Sequence, residues 1–295
     1  MNPILVTGGS GQVGQSLARL APEGFELVMP RRAELDISDP ESCAEMVASR
    51  DWSAVISSGA YTAVDKAEAD VTAAWEANAI GPAALAAASA KAGIPILHLS
   101  TDYVFDGSQS GAYQESDPVA PIGVYGASKE GGEQAVRTAN PRHIILRTAW
   151  VVSPFGNNFI KTMLRLGADR PLLRVVGDQW GCPTSALDIA ATLLALVDHV
   201  TRDAAPPWGT YHFVNAGEAN WHQLAVAVLD RAATHGRPRP EIEAITTADY
   251  PTLAKRPANS RLSTAKLEQA FGIQPRAWQT AIDEITDELL GADVK

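Results

Sequence analysis

Tyr125 and Lys129 stand four residues apart in "VYGASKEGGE", which begins at Val124. On a helix that spacing puts both side chains on one face, one turn apart. A phenol there can give its proton to an oxygen that gains negative charge. A neighbouring ammonium would favour the phenolate and lower the phenol's pKa toward working pH. The same ammonium can hold a ribose. Tyr-x-x-x-Lys alone is a weak signal, because chance produces it often and a solvated helix turn is its plain alternative. The pair gains meaning only if the rest of the chain builds a site around it.

Two further stretches do so. "HLSTDYVFDG" reads as the carboxyl end of a strand, leaving Ser100, Thr101 and Asp102 to point into a crevice. A hydroxyl there can hydrogen-bond a carbonyl oxygen whose charge grows as hydride arrives. "VTGGSGQVG" places Gly8, Gly11 and Gly14 between a strand and a helix. Glycine permits the tight turn and lets backbone N–H groups approach a pyrophosphate, which the helix N-terminus then favours. This is a strong dinucleotide signal. At the next strand tip "VMPRRAELD" supplies Arg31 and Arg32 and no acid, which leans toward the 2′-phosphate of NADPH and leaves NADH open. Two solvated loop arginines are the bland alternative. Asp36 and Ile37 follow within reach of an adenine edge.

The elements that must carry these residues are legible as an alternation. "ILVT", "FELVM", "SAVISSG", "IPILHLS" and "HIILRTAW" read as strands, separated by helical, alanine-rich segments. Gly81-Pro82 marks a break or a new start between two helical stretches, and Val124–Thr138 reads as a helix. This order implies an α/β fold: a doubly wound, Rossmann-like parallel sheet with a smaller C-terminal lobe. Residues 1–150 form the expected dinucleotide-binding domain and residues 151–295 mainly a substrate-binding lobe, with a boundary blurred by chain crossings. Beyond Trp150 a helix capped at Thr184 or Ser185, an exposed linker "TRDAAPPWG", a strand "TYHFVNAG" and a helix over Asn220–Ala233 are expected. The proline-rich stretch from His235 to Ser263 reads as irregular, and "ITDELLGADVK" as an amphipathic helix end.

With 295 residues and a net charge of -10, the chain is long enough for a large core and too acidic for nucleic acid or an anionic membrane as its main partner. No apolar run approaches the roughly 18 residues of a membrane helix. "MNPILVTGG" lacks the regions of a signal peptide. Cys43 and Cys182 have no metal-type spacing, and the histidines form no i,i+4 pair, so a reduced cytoplasmic protein without a metal is expected.

Glycine loop, Ser/Thr strand end and Tyr-x-x-x-Lys in this order resemble the extended branch of the short-chain dehydrogenase/reductase superfamily. "AYTAVDKAEAD" from Ala60, "STDYVFDG" from Ser100, "LRTAWVVSPFGNNF" from Leu146, "YPTLAKRPANSRLST" from Tyr250 and "GQVG" from Gly11 narrow the likeness. Together they resemble the dTDP-4-dehydrorhamnose reductase family, from the first strand to about Gly272. The resemblance implies NADPH- or NADH-dependent reduction of the 4-keto group of a dTDP-6-deoxy-hexulose, with Tyr125 as proton donor. Lys129 would tune Tyr125 and bind the ribose, while Thr101 would be the transition-state hydroxyl, with Asp102 beside it at the sugar. Trp150, at the end of the fifth strand, would pack on the substrate or serve as a core aromatic. Gly11, Gln12 and Val13 would form the pyrophosphate turn. Asp36 with Ile37, and Ala60, Tyr61 and Thr62, would form the further cofactor turns, with Leu99 near the nicotinamide. Asn157 and Asn158 would touch substrate phosphates or cap a helix. Arg256 would bind a diphosphate or fix a loop by an ion pair. Tyr103 and Phe105 read as pocket wall or core. Some relatives bridge a homodimer through magnesium held by acids just after the glycine loop. That position reads Gln15-Ser16 here, so no metal is expected and a homodimer is left open. Another epimerase or reductase of the superfamily, or a non-catalytic nucleotide-binding subunit, are the alternative readings.

Overall fold

The computed structural model describes residues 2–291. Its first half runs β1 (Ile4–Thr7), α1 (Gln12–Leu20), β2 (Leu27–Val28), α2 (Pro40–Ala48), β3 (Ala54–Ser57), α3 (Val64–Ala67) and α4 (Val71–Trp75). A π-helical turn (Glu76–Ile80) joins α4 to α5 (Gly81–Lys91), followed by β4 (Ile96–Thr101). A 3-10 turn (Asp102–Val104), α6 (Val124–Ala139) and β5 (His143–Thr148) complete that half. The second half holds β6 (Val151–Val152), α7 (Phe159–Asp169), β7 (Leu172–Val176), β8 (Trp180–Gly181), β9 (Thr184–Ser185) and α8 (Ala186–Arg202). It continues with β10 (Gly209–His212), β11 (Ala219–Asn220), α9 (Trp221–Thr234), β12 (Glu241–Ile245), α10 (Ala265–Phe271) and α11 (Trp278–Gly291).

Six strands form one parallel sheet in the order β10-β5-β4-β3-β1-β2. β1 and β3 are buried at every position, because helices cover both faces. On one face Leu17 of α1 and Ile189, Leu193 and Val197 of α8 close over Ile4, Val6, Leu97 and Ile144. On the other, Cys43 and Val47 of α2, Leu85 of α5 and Val136 of α6 cover Leu5, Val55, Ile96 and Ile145. A second core gathers Ile160, Leu173, Leu224, Val228 and Ile282 from α7, β7, α9 and α11. Strand order reverses between β1 and β3, with β2 on the far side of β1, so the carboxyl ends of β1, β3 and β4 open one crevice.

Local chemistry explains where the structure departs from the expectations. Gly81-Pro82 is a new start rather than a break: α5 begins at Gly81 with Pro82 in its first turn, while helical backbone runs on from the π turn before it, which accommodates a residue that cannot donate. Gly81 is needed for contact, since a Cβ there would lie 2.0 Å from the Ile37 carbonyl oxygen. The second strand shrinks to Leu27–Val28. The stretch read as irregular contains β12, which begins directly after Pro240 and pairs in parallel with β7. The α8 cap is Ser185, whose side chain accepts from the Leu187 N–H. α11 runs through Gly291, and the last four residues of the tail lie outside the described residues. No described helix is long and apolar enough to cross a membrane.

Candidate active site

Two close approaches build the glycine loop. Gly8 has φ +74, and a Cβ on it would sit 2.7 Å from Gly59 on β3's exit loop. A Cβ on Gly14 would lie 2.3 Å from the Gly8 carbonyl oxygen, so α1 presses directly on the turn. Gly11 occupies the N-cap with no side chain in the way, which leaves the first α1 amides facing outward. Beside this turn opens a cleft of about 460 Å³ lined by Gly8, Arg31, Asp36, Ile37, Ala60 and Tyr61 among others. Ser38 and Arg32 hold the Asp36 carboxyl below its usual range. Buried Asn78 fixes Tyr61 by accepting its N–H at 2.8 Å and donating to its carbonyl at 3.1 Å. Val13 is buried in the core, Thr62 is exposed, and Leu99 is half-buried at the end of β4. Gln12 does not line the cleft. Its amide oxygen instead accepts from Ser153 (2.8 Å) and Asn158 (3.1 Å) across the lobe boundary.

The catalytic candidates converge at the end of β4. Thr101 donates to Asp102 Oδ1 at 3.1 Å and accepts from the Tyr103 N–H at 3.2 Å. The Tyr125 phenol at the start of α6 lies beside the Thr101 hydroxyl. Lys129 lies one turn along α6 and donates to the Leu99 carbonyl at 2.7 Å, with His98 Nε2 at 3.5 Å. Here the expected lowering of the Tyr125 pKa does not occur. Burial and the charge of Asp102 push the phenol well above its ordinary value, and the nearby Thr101 hydroxyl only partly opposes them. Burial also lowers Lys129 to about 8, against the carboxylate of Glu133. His98 is kept neutral by burial and by Lys129. Asp102 rises to about 6 as burial outweighs hydrogen bonds from Ser260 and Thr101. Ser100 differs from expectation: it points under α6 and donates to Glu133 Oε1 at 2.6 Å rather than into the crevice.

The rim comes from the second half. Trp150 lies beyond β5 rather than on it, at φ +48, a left-handed backbone that non-glycine residues rarely adopt. Its indole stacks on Trp221 with centroids 3.6 Å apart, and a Cβ on Gly181 would lie 2.4 Å from it. Asn158 caps α7, whereas Asn157 is exposed. Arg256 pairs with Asp65 at 2.6 Å and donates to the Tyr103 hydroxyl at 3.1 Å, so it fixes the "LAKRPANS" segment to the first half. Phe105 is core, stacked on Tyr113. Tyr103 presents its ring to Tyr125 at 5.5 Å. No group of three or more His, Cys, Asp or Glu side chains able to hold a metal occurs among the described residues.

The family described as RmlD substrate binding domain matches residues 1–290. A dTDP-4-dehydrorhamnose reductase of Aggregatibacter actinomycetemcomitans is 44% identical over 289 residues, spanning 97% of this chain and 98% of that protein. This chain belongs to the dTDP-4-dehydrorhamnose reductase family. Two solved dTDP-4-dehydrorhamnose reductases share its fold. That of Clostridium acetobutylicum has a TM-score of 0.91 at 36% identity, covering 97% of this chain and 99% of that one. That of Bacillus anthracis, solved in complex with NADP, has a TM-score of 0.91 at 32% identity with the same coverage. For a reductase of this family, sequence reasoning passed over Asn78, His98, Glu133, Arg147 and Thr148. Thr148 pairs in register with Thr101 and its buried hydroxyl, like Asp102 Oδ2, has no partner. Its place in "LRTAW" at a strand end was the one available signal. The others are polar residues inside apolar or helical runs, where pattern alone gives no hint of their partners.

Proposed function

We propose that the chain reduces the C4 ketone of dTDP-4-dehydro-6-deoxy-L-mannose to give dTDP-L-rhamnose, using NADPH. The observation that carries this reading is the convergence at the end of β4 of the Thr101 hydroxyl, the Tyr125 phenol and, one helical turn along α6, Lys129 held by the Leu99 carbonyl at 2.7 Å. The glycine cradle and the cleft beside it fit a dinucleotide: Gly8 and Gly14 leave room for backbone amides to face a pyrophosphate, and Arg31 suits a 2′-phosphate. Gly11, Gln12 and Val13 belong to the turn, Asp36, Ile37, Ala60, Tyr61 and Thr62 to the adenosine side, and Leu99 to the nicotinamide side. When bound, NADPH would supply the hydride.

The chain's own residues supply the rest. Tyr125, neutral through the physiological range, gives its proton to the C4 oxygen as negative charge appears there. Thr101 turns its hydroxyl from Asp102 to the same oxygen. Lys129 contributes an ammonium that stabilises the phenolate left behind and holds the ribose. Asp102, buried with one free oxygen, accepts a sugar hydroxyl, and Trp150, half-buried and braced by Trp221, packs beside the sugar. Residues 1–150 serve the dinucleotide and residues 151–295 mainly the sugar nucleotide. The buried free thiols of Cys43 and Cys182 support a cytoplasmic setting.

The test is loss of NADPH absorbance with the dTDP-4-keto sugar generated in place, run beside Tyr125→Phe. Removing the phenolic proton should slow turnover on the order of 10²-fold or more. No oxidation by the intact protein despite NADPH binding would return the argument to an epimerase or a silent nucleotide-binding subunit.

A further inference from the structure

Three residues of α6 at four-residue intervals meet three consecutive residues of β4. Tyr125 meets the Thr101 hydroxyl, Lys129 donates to the Leu99 carbonyl at 2.7 Å, and Glu133 accepts from the Ser100 hydroxyl at 2.6 Å. We propose that Glu133 is a positioning residue: held by Ser100 and Arg147, it sets the height and rotation of α6 on β4, and so the Tyr125 phenol against Thr101. This rests on the reductase reading above.

Glu133 has no exposed surface and Arg147 only 3%. Its Oε1 accepts from Ser100 and from Arg147 Nε at 2.8 Å, and its Oε2 from Arg147 Nη2 at 2.7 Å and Arg137 Nη1 at 3.0 Å. The third Arg147 nitrogen lies 3.5 Å from His212 Nε2 on β10, and the guanidinium sits 5.0 Å above the Phe105 ring. The pair therefore joins α6 to β4, β5 and β10 behind the reacting groups.

Stability alone does not account for such a pair, since well-packed apolar side chains of similar volume generally serve the fold as well. A bidentate fork does give direction, which apolar contacts do not. α6 needs that direction, because its flanks are smooth. A Cβ on Gly126 would lie 2.1 Å from the Tyr103 carbonyl oxygen, and one on Gly132 2.1 Å from that of Asn78. With no side chains there to act as stops, the polar rungs define where the helix rests. Lys129 is a flexible point charge and cannot define it alone.

The experiment compares Glu133→Gln and Ser100→Ala with the intact protein in steady-state turnover, NADPH binding and thermal unfolding. Small misplacement of reacting groups is costly, so kcat should fall roughly tenfold or more in Glu133→Gln and about three- to tenfold in Ser100→Ala. KM for the keto sugar and Kd for NADPH should stay within about twofold, since neither residue touches the ligands. Folded variants with kcat unchanged would overturn the proposal. So would a fall in kcat that only follows the loss of folded protein. If Glu133→Gln does not fold, Ser100→Ala decides, because it keeps the buried ion pair. An intact protein that turns over no keto sugar would defeat the reductase reading itself.

Discussion

Asp102 has 3% of its surface exposed and one carboxylate oxygen without a partner, and burial moves its pKa from 3.8 to about 6. A carboxyl raised in this way stabilises the fold fully below pH about 4, and that contribution is lost as pH rises through about 6. Above that, the folded state carries a buried anion at a cost on the order of 3 kcal/mol. Asp102→Asn should therefore unfold at a higher temperature than the parent at pH 8, and the gain should shrink to nothing near pH 4. Thermal unfolding across that pH series checks it, and a gain independent of pH would trace the effect to something other than the charge. At this scale the sequence was informative about residue types and silent about direction. Spacing alone put Tyr125 and Lys129 on one face, but Lys129 ends on the Leu99 carbonyl because of how α6 rotates against β4. That rotation depends on Glu133, Arg147 and the smooth glycine flanks, which no periodicity reveals.

Among the elements, the glycine turn was legible because its chemistry is local: a strand, three spaced glycines and a helix start. Its Gly14 makes the sharpest demand. Alanine there would gain about 1 kcal/mol of helix propensity. Its Cβ, however, would meet Gly8 O at 2.3 Å and Gly9 Cα at 2.5 Å, both backbone atoms that yield only if α1 moves. Overpacking of this kind costs about 1–3 kcal/mol. Gly14→Ala is thus expected to lower thermal stability on balance and to weaken NADPH binding by roughly tenfold or more, since the displaced α1 amides no longer face the pyrophosphate. Calorimetric titration beside Gly111→Ala, where the added methyl meets open space, separates the effect from a general cost of removing glycine. β12 was not legible for the opposite reason. "EIEAI" sits at an edge with one of its five residues buried, so it lacks the continuous apolar run that marks β1 or β3. Its pairing with β7, some 70 residues earlier, supplies what its own sequence does not. Trp150 is similar: its left-handed backbone is held by Trp221 and Gly181 from two other elements.

Taken whole, the molecule places elements from beyond residue 150 in the layers of its first half. β10 forms the outer strand beside β5, and α8 lies across α1. Ile189, Leu193, Leu196 and Val197 of α8 are fully buried there. Burying such a side chain stabilises by about 1.5–3 kcal/mol, so these four together rival the roughly 5–15 kcal/mol that holds a whole domain folded. The layers behind the glycine loop therefore depend on residues from beyond Trp150, so the end of the strand–helix rhythm there is not a folding boundary. A fragment ending at Trp150 would expose the α1 side of the sheet and leave β5 an open edge. It should show no cooperative thermal transition, bind a hydrophobic dye strongly and fail to bind NADPH, whereas the intact chain should melt in one transition that NADPH raises. Cooperative melting of the fragment with NADPH binding retained would show instead that α8 and β10 are dispensable, and that the first five strands carry the site unaided.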